Sequence, residues 1–239
     1  PLKWEPGQIN KLPPDARFER KSILSELRIG GLLVADFNGD KRPDIAIYGE
    51  PKRFQLLLNK GDREWEEPQS WDLENGQASM NAIDQGDLDG DGRNDVAVLA
   101  DHFTHIFRQR ADGGFEDPVK IPFAGAVKGL RLIDINMDGR DDLVTLVWDD
   151  DTPIRVRFQD ADGRLGQEVH LKYPKFRAFE SRDLNGDGDL EWLTIAQQSG
   201  RVQVGRFSEV NRQRDLKHRP LMMMPLLRML LMPHSSGGG

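Results

Sequence analysis

The chain has 239 residues, 37% of them hydrophobic and 31% charged, with a formal net charge of −7 and no cysteine. That length buries a sizeable core, and the composition is not that of a disordered chain. Disulfides and thiolate metal sites are excluded, and no basic stripe interleaved with aromatics points to nucleic acid.

From Pro1 onward there is no charged n-region followed by an apolar h-region, so we read no signal peptide; one was removed or the chain is an excerpt. Residues 18–27, from Phe18 to Leu27, read as a strand without a sheet of its own. A nine-residue acidic pattern then recurs four times, beginning at Asp36, Asp87, Asp134 and Asp183, at intervals of 51, 47 and 49 residues. A fixed period near fifty marks a repeat architecture in which each unit buries its apolar face against neighbours.

Each repeat reads as four strands. The first precedes the acidic loop, at 31–35, 82–86, 129–133 and 178–182. A small residue (Gly31, Ala82, Gly129, Ala178) stands five positions before the first Asp, as a crowded innermost strand or a turn entry would require. The second strands (44–48, 95–99, 142–147, 191–195) are short, β-branched and apolar, the pattern of buried strands. Third strands fall at 54–58, 103–107, 154–158 and 202–206. Polar turns ending in Trp65, Phe115 and Leu165 follow three of them, and fourth strands lie at 70–73, 119–123 and 168–173. The fourth repeat has no clear fourth strand, so either residues 15–27 close the ring as its outer strand or the chain is cut from a larger one.

Four antiparallel strands per unit predict an all-β fold, a β-propeller of about four blades. The boundaries are 1–215 for the propeller, with blades at 29–80, 81–127, 128–176 and 177–210, and 216–239 for a tail outside the fold. Within the tail, residues 221–232 are apolar but interrupted by Pro225 and Arg228, too short to span a bilayer; peripheral packing or a loose tail fits better than an anchor.

In each acidic loop, oxygen-bearing side chains stand at positions 1, 3, 5 and 9, which suits a hard cation taking six to eight oxygens, calcium above all. Position 7 adds a backbone carbonyl, so its side chain is free to vary: Arg42, Arg93, Arg140, Asp189. Position 6 wants a left-handed backbone, given by Gly92, Gly139 and Gly188 but not Lys41, so the first loop should bind most weakly. The plainer alternative is that Asp, Asn and Gly make good turns, although turn chemistry does not require the acid at position 9. An EF-hand is excluded because position 12 carries Ile47, Val98, Thr145 and Thr194 instead of Glu. The loops hold thirteen ligand carboxylates, and four calcium ions would turn the net charge from −7 to +1.

The pattern D-x-[DN]-G-D-G-x-x-D before a buried strand resembles the FG-GAP/VCBS repeats of integrin α-subunit propellers and of bacterial surface and secreted proteins, over residues 15–207. The resemblance implies up to four structural calcium ions. Their side-chain ligands would be Asp36, Asn38, Asp40 and Asp44; Asp87, Asp89, Asp91 and Asp95; Asp134, Asn136, Asp138 and Asp142; Asp183, Asn185, Asp187 and Glu191. Lys41, Met137 and Glu191 depart from the commonest pattern. It also implies calcium loops on one face and an opposite face displaying Tyr48, Arg53, His102, Trp148, Tyr173, Phe176 and Arg177 to a protein or carbohydrate ligand.

The expectation is a non-catalytic binding or adhesion module, extracellular, periplasmic or at the cell surface, with no nucleic acid and no transmembrane segment. A carbohydrate-active enzyme, polysaccharide lyase or glycosidase, is the alternative, and a purely architectural segment of a larger surface protein is a third. His102 and His105 lack a third ligand or a nucleophile motif, and no G-x-S-x-G, P-loop or H-E-x-x-H is present.

Overall fold

The structure, a computed structural model, describes residues 23, 25–77 and 79–206. Among them every regular element is a β-strand. The first unit holds β1 (Arg28–Ala35), β2 (Asp44–Glu50), β3 (Arg53–Leu57), a short hairpin of β4 (Asn59–Gly61) and β5 (Glu64–Trp65), and β6 (Gln69–Asp72). The second holds β7 (Ile83–Gly86), β8 (Asp95–Leu99), β9 (Phe103–Phe107) and β10 (Val119–Pro122). The third holds β11 (Gly129–Ile133), β12 (Asp142–Leu146), β13 (Ile154–Arg157) and β14 (Val169–Leu171). The last holds β15 (Phe176–Arg182), β16 (Glu191–Ala196) and β17 (Val202–Arg206).

Strand order gives three four-stranded antiparallel sheets, β1-β2-β3-β6, β7-β8-β9-β10 and β11-β12-β13-β14, and a three-stranded sheet β15-β16-β17. The strands read from the sequence are therefore present, β1 and β15 starting earlier than expected. The turns after β9 and β13 close through the bridges Gln109↔Phe115 and Gln159↔Leu165. Of the strand expected at 18–27, only Ile23 and residues 25–27 are described, and they are not in a strand; the tail at 216–239 lies outside the described residues.

Successive sheets stack face to face. Tyr48, Phe54 and Leu56 of the first sheet meet Ile83, Val96 and Phe107 of the second. Ala97 and Ile106 meet Leu130, Leu132 and Leu143, and Val144, Ile154 and Val156 meet Phe176, Phe179 and Trp192. The second strands of the two middle sheets, β8 and β12, are covered on both faces, so they are buried throughout and their sequences run apolar without alternation. A fully buried side chain such as Phe54 contributes about 2–3 kcal/mol.

The small residue five positions before each of the first three loops is explained by crowding between sheets. Gly31 lies inside β1, and a Cβ there would overlap Ile83 Cγ2 of the next sheet. A Cβ on Gly129 would stand 3.1 Å from Asn81 Cβ, and Ala82 is fully buried. Polar bonds staple the same seams. Asp84 Oδ2 accepts the Leu132 N–H at 3.0 Å, and Arg157 Nη2 donates to the Pro122 carbonyl at 2.8 Å.

Candidate metal centre

All four acidic loops join the first strand of a sheet to its second. Their position 9 carboxylates are buried: Asp44, Asp95 and Asp142 completely, Glu191 at 3% exposure. In the first three loops, one oxygen accepts the position 2 N–H (Phe37 at 2.8 Å, Leu88 at 3.1 Å, Ile135 at 3.3 Å). The other oxygen accepts the N–H of Asn59 at 2.8 Å, or of Gln109 or Gln159 at 2.9 Å. Glu191 receives the Leu184 N–H at 2.9 Å. The acid four residues past the tight turn thus ties the loop to the third strand, a role that needs no ion.

Position 1 gathers backbone donors. Asp36 accepts from Gly39 and Lys41 at 2.6 and 2.7 Å, Asp87 from Gly90 and Gly92 at 2.7 Å, and Asp183 from Gly186 and Gly188 at 2.6 and 2.9 Å. For Asp36, burial pulls the carboxyl up, but N–H donors from Lys41, Asn38, Gly39 and Asp40 outweigh it and leave the group lowered. This wrapping needs a left-handed backbone at positions 4 and 6. Glycine provides it except at Met137 (φ 62°) and Lys41 (φ 67°), so the first and third loops each carry one strained residue.

Positions 3, 5 and 7 divide the loops into two kinds. In loops one, three and four, the amide of Asn38, Asn136 or Asn185 donates Nδ2–H to the position 5 carboxylate at 3.0, 3.0 and 2.9 Å, satisfying that acid locally. Arg42, Arg93 and Arg140 at position 7 reach back to Asp40, Asp91 and Asp138. Their Nε donates to the carbonyls of Asn59, Gln109 and Gln159 at 2.9, 3.0 and 3.2 Å. The position 7 side chain is therefore not free to vary: in three loops it binds the start of the following hairpin.

The second loop differs because Asp89 stands where the others have asparagine and cannot donate. Arg108 Nη1 neutralises it at 2.6 Å and reaches Asp95 at 3.4 Å, while Asp89 Oδ1 is buried with no hydrogen-bond partner among the described residues. Oxygens of Asp87, Asp89 and Asp95 all lie within 4.8 Å of one another, the only such trio of metal-ligating side chains among the described residues. Ligands on opposite sides of a calcium ion at about 2.4 Å stand about 4.8 Å apart, so the donor set fits that ion. Burial, helped by the charge of Asp89 and resisted by Arg108, pushes the Asp95 carboxyl up to about 7. Burial does the same to Asp142, also up to about 7.

The supposed display face is corrected by the stacking. Tyr48 and Phe176 are fully buried and Tyr173 is 6% exposed, all packed between sheets. Trp148 is half-buried, edge-on to Phe176 at 5.4 Å. Strand alternation alone does not reveal that both faces of a sheet are covered. His102 and Arg177 are exposed, and Arg53 binds Asp72 at 2.6 Å. His105 is buried, edge-on to Phe103 at 4.9 Å, and burial lowers the pKa of its ring below the ordinary 6.5.

The sequence profile of the FG-GAP-like repeat matches residues 36–98 and 87–145, a narrower stretch than the resemblance read above. No curated protein sequence matches the chain. Among solved structures, an Agrocybe aegerita lectin recognising non-reducing terminal N-acetylglucosamine is similar over 77% of this chain and 54% of its own, at 16% identity and TM-score 0.50. The Photorhabdus luminescens Tc holotoxin pore is similar over 71% of this chain and 8% of its own, at 16% identity and TM-score 0.46. BBS1N, solved in complex with ARL6DN, is similar over 72% and 51%, at 11% identity and TM-score 0.46. This chain thus spans about half or less of each of these chains. Both the acidic loops and the sheets they join agree with the matched repeat, and residues 36–145 are FG-GAP-like repeats.

Proposed function

We propose that the chain is a calcium-stabilised β-propeller module that binds a protein or carbohydrate ligand outside the cytoplasm and is not an enzyme. The observation that carries this reading is the convergence of Asp87, Asp89 and Asp95, together with a buried, unpartnered oxygen of Asp89. Calcium there would be held by Asp87, Asp89, Asp91 and Asp95, with the Arg93 carbonyl, and would take over the neutralisation that Arg108 supplies. The ion's role is structural. It compensates an acidic turn and fixes the hairpin between the two inner strands; millimolar calcium outside the cytoplasm would fill weaker loops as well.

The ring closes, in this reading, when the amino-terminal segment preceding β1 completes the last sheet beside β17. Leu27 supports this, since it is buried against Ile47 and Leu57 on the outward face of the first sheet. The ligand would meet the side opposite the loops, where His102 and Arg177 are exposed. Likeness to the lectin supports the fold and not the ligand.

Calorimetric titration with calcium is the test. Binding is expected, chelator should lower the melting temperature by many degrees, and Asp91→Ala should reproduce part of that loss. A melt indifferent to chelator refutes the reading. On panels of glycans and proteins, retention without turnover is expected and weakens in Arg177→Ala; product formation would make the chain an enzyme instead.

A further inference from the structure

The second acidic loop is gripped from outside by groups that its own nine-residue pattern does not contain. Gln159, 2% exposed, donates Nε2–H to the Asp87 carbonyl at 2.8 Å and to the Asp141 carbonyl at 3.2 Å. Asp141 Oδ2 accepts the Asp87 N–H at 2.9 Å. Both backbone groups of the loop's first residue are therefore held by the third repeat. Gly163, at φ +73°, lies so close to the Asp89 carbonyl oxygen that a Cβ there would overlap it. Asp87 and Asp89 are two of the three residues whose oxygens converge.

The first loop is held more lightly. Gly114 N–H of the second repeat reaches the Phe37 carbonyl at 3.3 Å, and Gly113 packs against Asn38. Position 8 of the second loop, which would face it, is Asn94 and not an acid. The carboxylate-and-amide grip belongs to the second loop.

We infer that the cation site of the Asp87–Asp95 loop is shared between two repeats, with Gln159 and Asp141 as positioning residues that set its calcium affinity. This rests on the calcium reading above. An ion binds tightly only where its ligands are ordered beforehand, and outer partners that fix ligands typically contribute about 10–100-fold in affinity. The second loop is then the tightest of the four, and filling it clamps the second and third sheets together.

The experiment uses the whole chain and calcium alone. Asp89→Ala identifies the binding step that belongs to the second loop. Gln159→Leu should weaken that step about tenfold or more and leave the others in place. Asp141→Leu should match it, and Asp141→Asn, which keeps an acceptor oxygen for the Asp87 N–H, should recover much of the loss. A positioning role also predicts that the melting temperature gained on adding calcium shrinks in Gln159→Leu; a merely structural role lowers the melt equally with chelator and with calcium, and overturns the inference. So does unchanged affinity in both leucine variants. Should Gln159→Leu fail to fold, Gln159→Asn, too short to reach both carbonyls, carries the same expectation. Absence of any calcium heat in the unaltered chain sinks the calcium reading itself, which is a separate outcome.

Discussion

Lys41 holds a φ of 67° where the other three loops place glycine. A left-handed side-chain-bearing residue costs roughly 1–2 kcal/mol, of which glycine's greater unfolded freedom returns part. Lys41→Gly should therefore stabilise the chain by about 0.5–1 kcal/mol, read as a higher urea midpoint at unchanged slope. A lower midpoint would mean that the lysine side chain contributes more than its backbone costs. This position was legible because glycine recurs at Gly92, Gly139 and Gly188. Met137 shows the matching demand at position 4, which a reading centred on position 6 misses. Arg42, Arg93 and Arg140 escaped for another reason. Their partners start the next hairpin 16 to 19 residues away, beyond the reach of a local pattern, although arginine in three loops of four was the available signal.

Strands of this chain were readable almost residue for residue, because β-branched apolar runs between acidic turns leave little choice of element. How the sheets meet was not readable. Tyr48 and Phe176 look like display residues until a second sheet covers them. Asp84 on β7 is the polar counterpart of that seam, since it accepts the Leu132 N–H of β11. Burial raises its carboxyl above the ordinary 3.8, with Glu180 adding to the rise and Arg131 opposing it. The folded state therefore keeps this proton to higher pH than the unfolded state does. By linkage, the Asp84 contribution to stability is largest at low pH and declines as pH climbs from about 4 through the raised value. Asp84→Asn retains an acceptor oxygen and cannot ionise, so it should flatten that decline. Urea midpoints of the two proteins between pH 4 and 7, in chelator, give the difference directly. If the wild type gains on the asparagine variant as pH rises, the carboxyl is not raised.

At the scale of the whole molecule, three internal seams share one plan, and the two ends of the stack are what remains of it. The outward face of the first sheet exposes Leu32 and Val34 at 56% and 53%, and the far end exposes Val202 at 65%. Each internal seam joins the trailing face of one sheet to the leading face of the next, so the two end faces are of complementary kinds. Closure by the amino-terminal segment preceding β1 would bring it to the open edge of β17 and shelter both ends at once. Removing residues 1–24 should then cost several kcal/mol. At about 2–4 °C per kcal/mol for a domain of this size, the melt falls by roughly 5–10 °C. The bared faces should also bind a hydrophobic dye and drive concentration-dependent association, which Val202→Lys in the shortened chain should relieve. A shortened chain that melts as before and sediments as a monomer at every concentration would mean that the ring is not closed this way. Should only the melt fall, without dye binding or association, the segment stabilises the first sheet alone through the contacts that Leu27 begins.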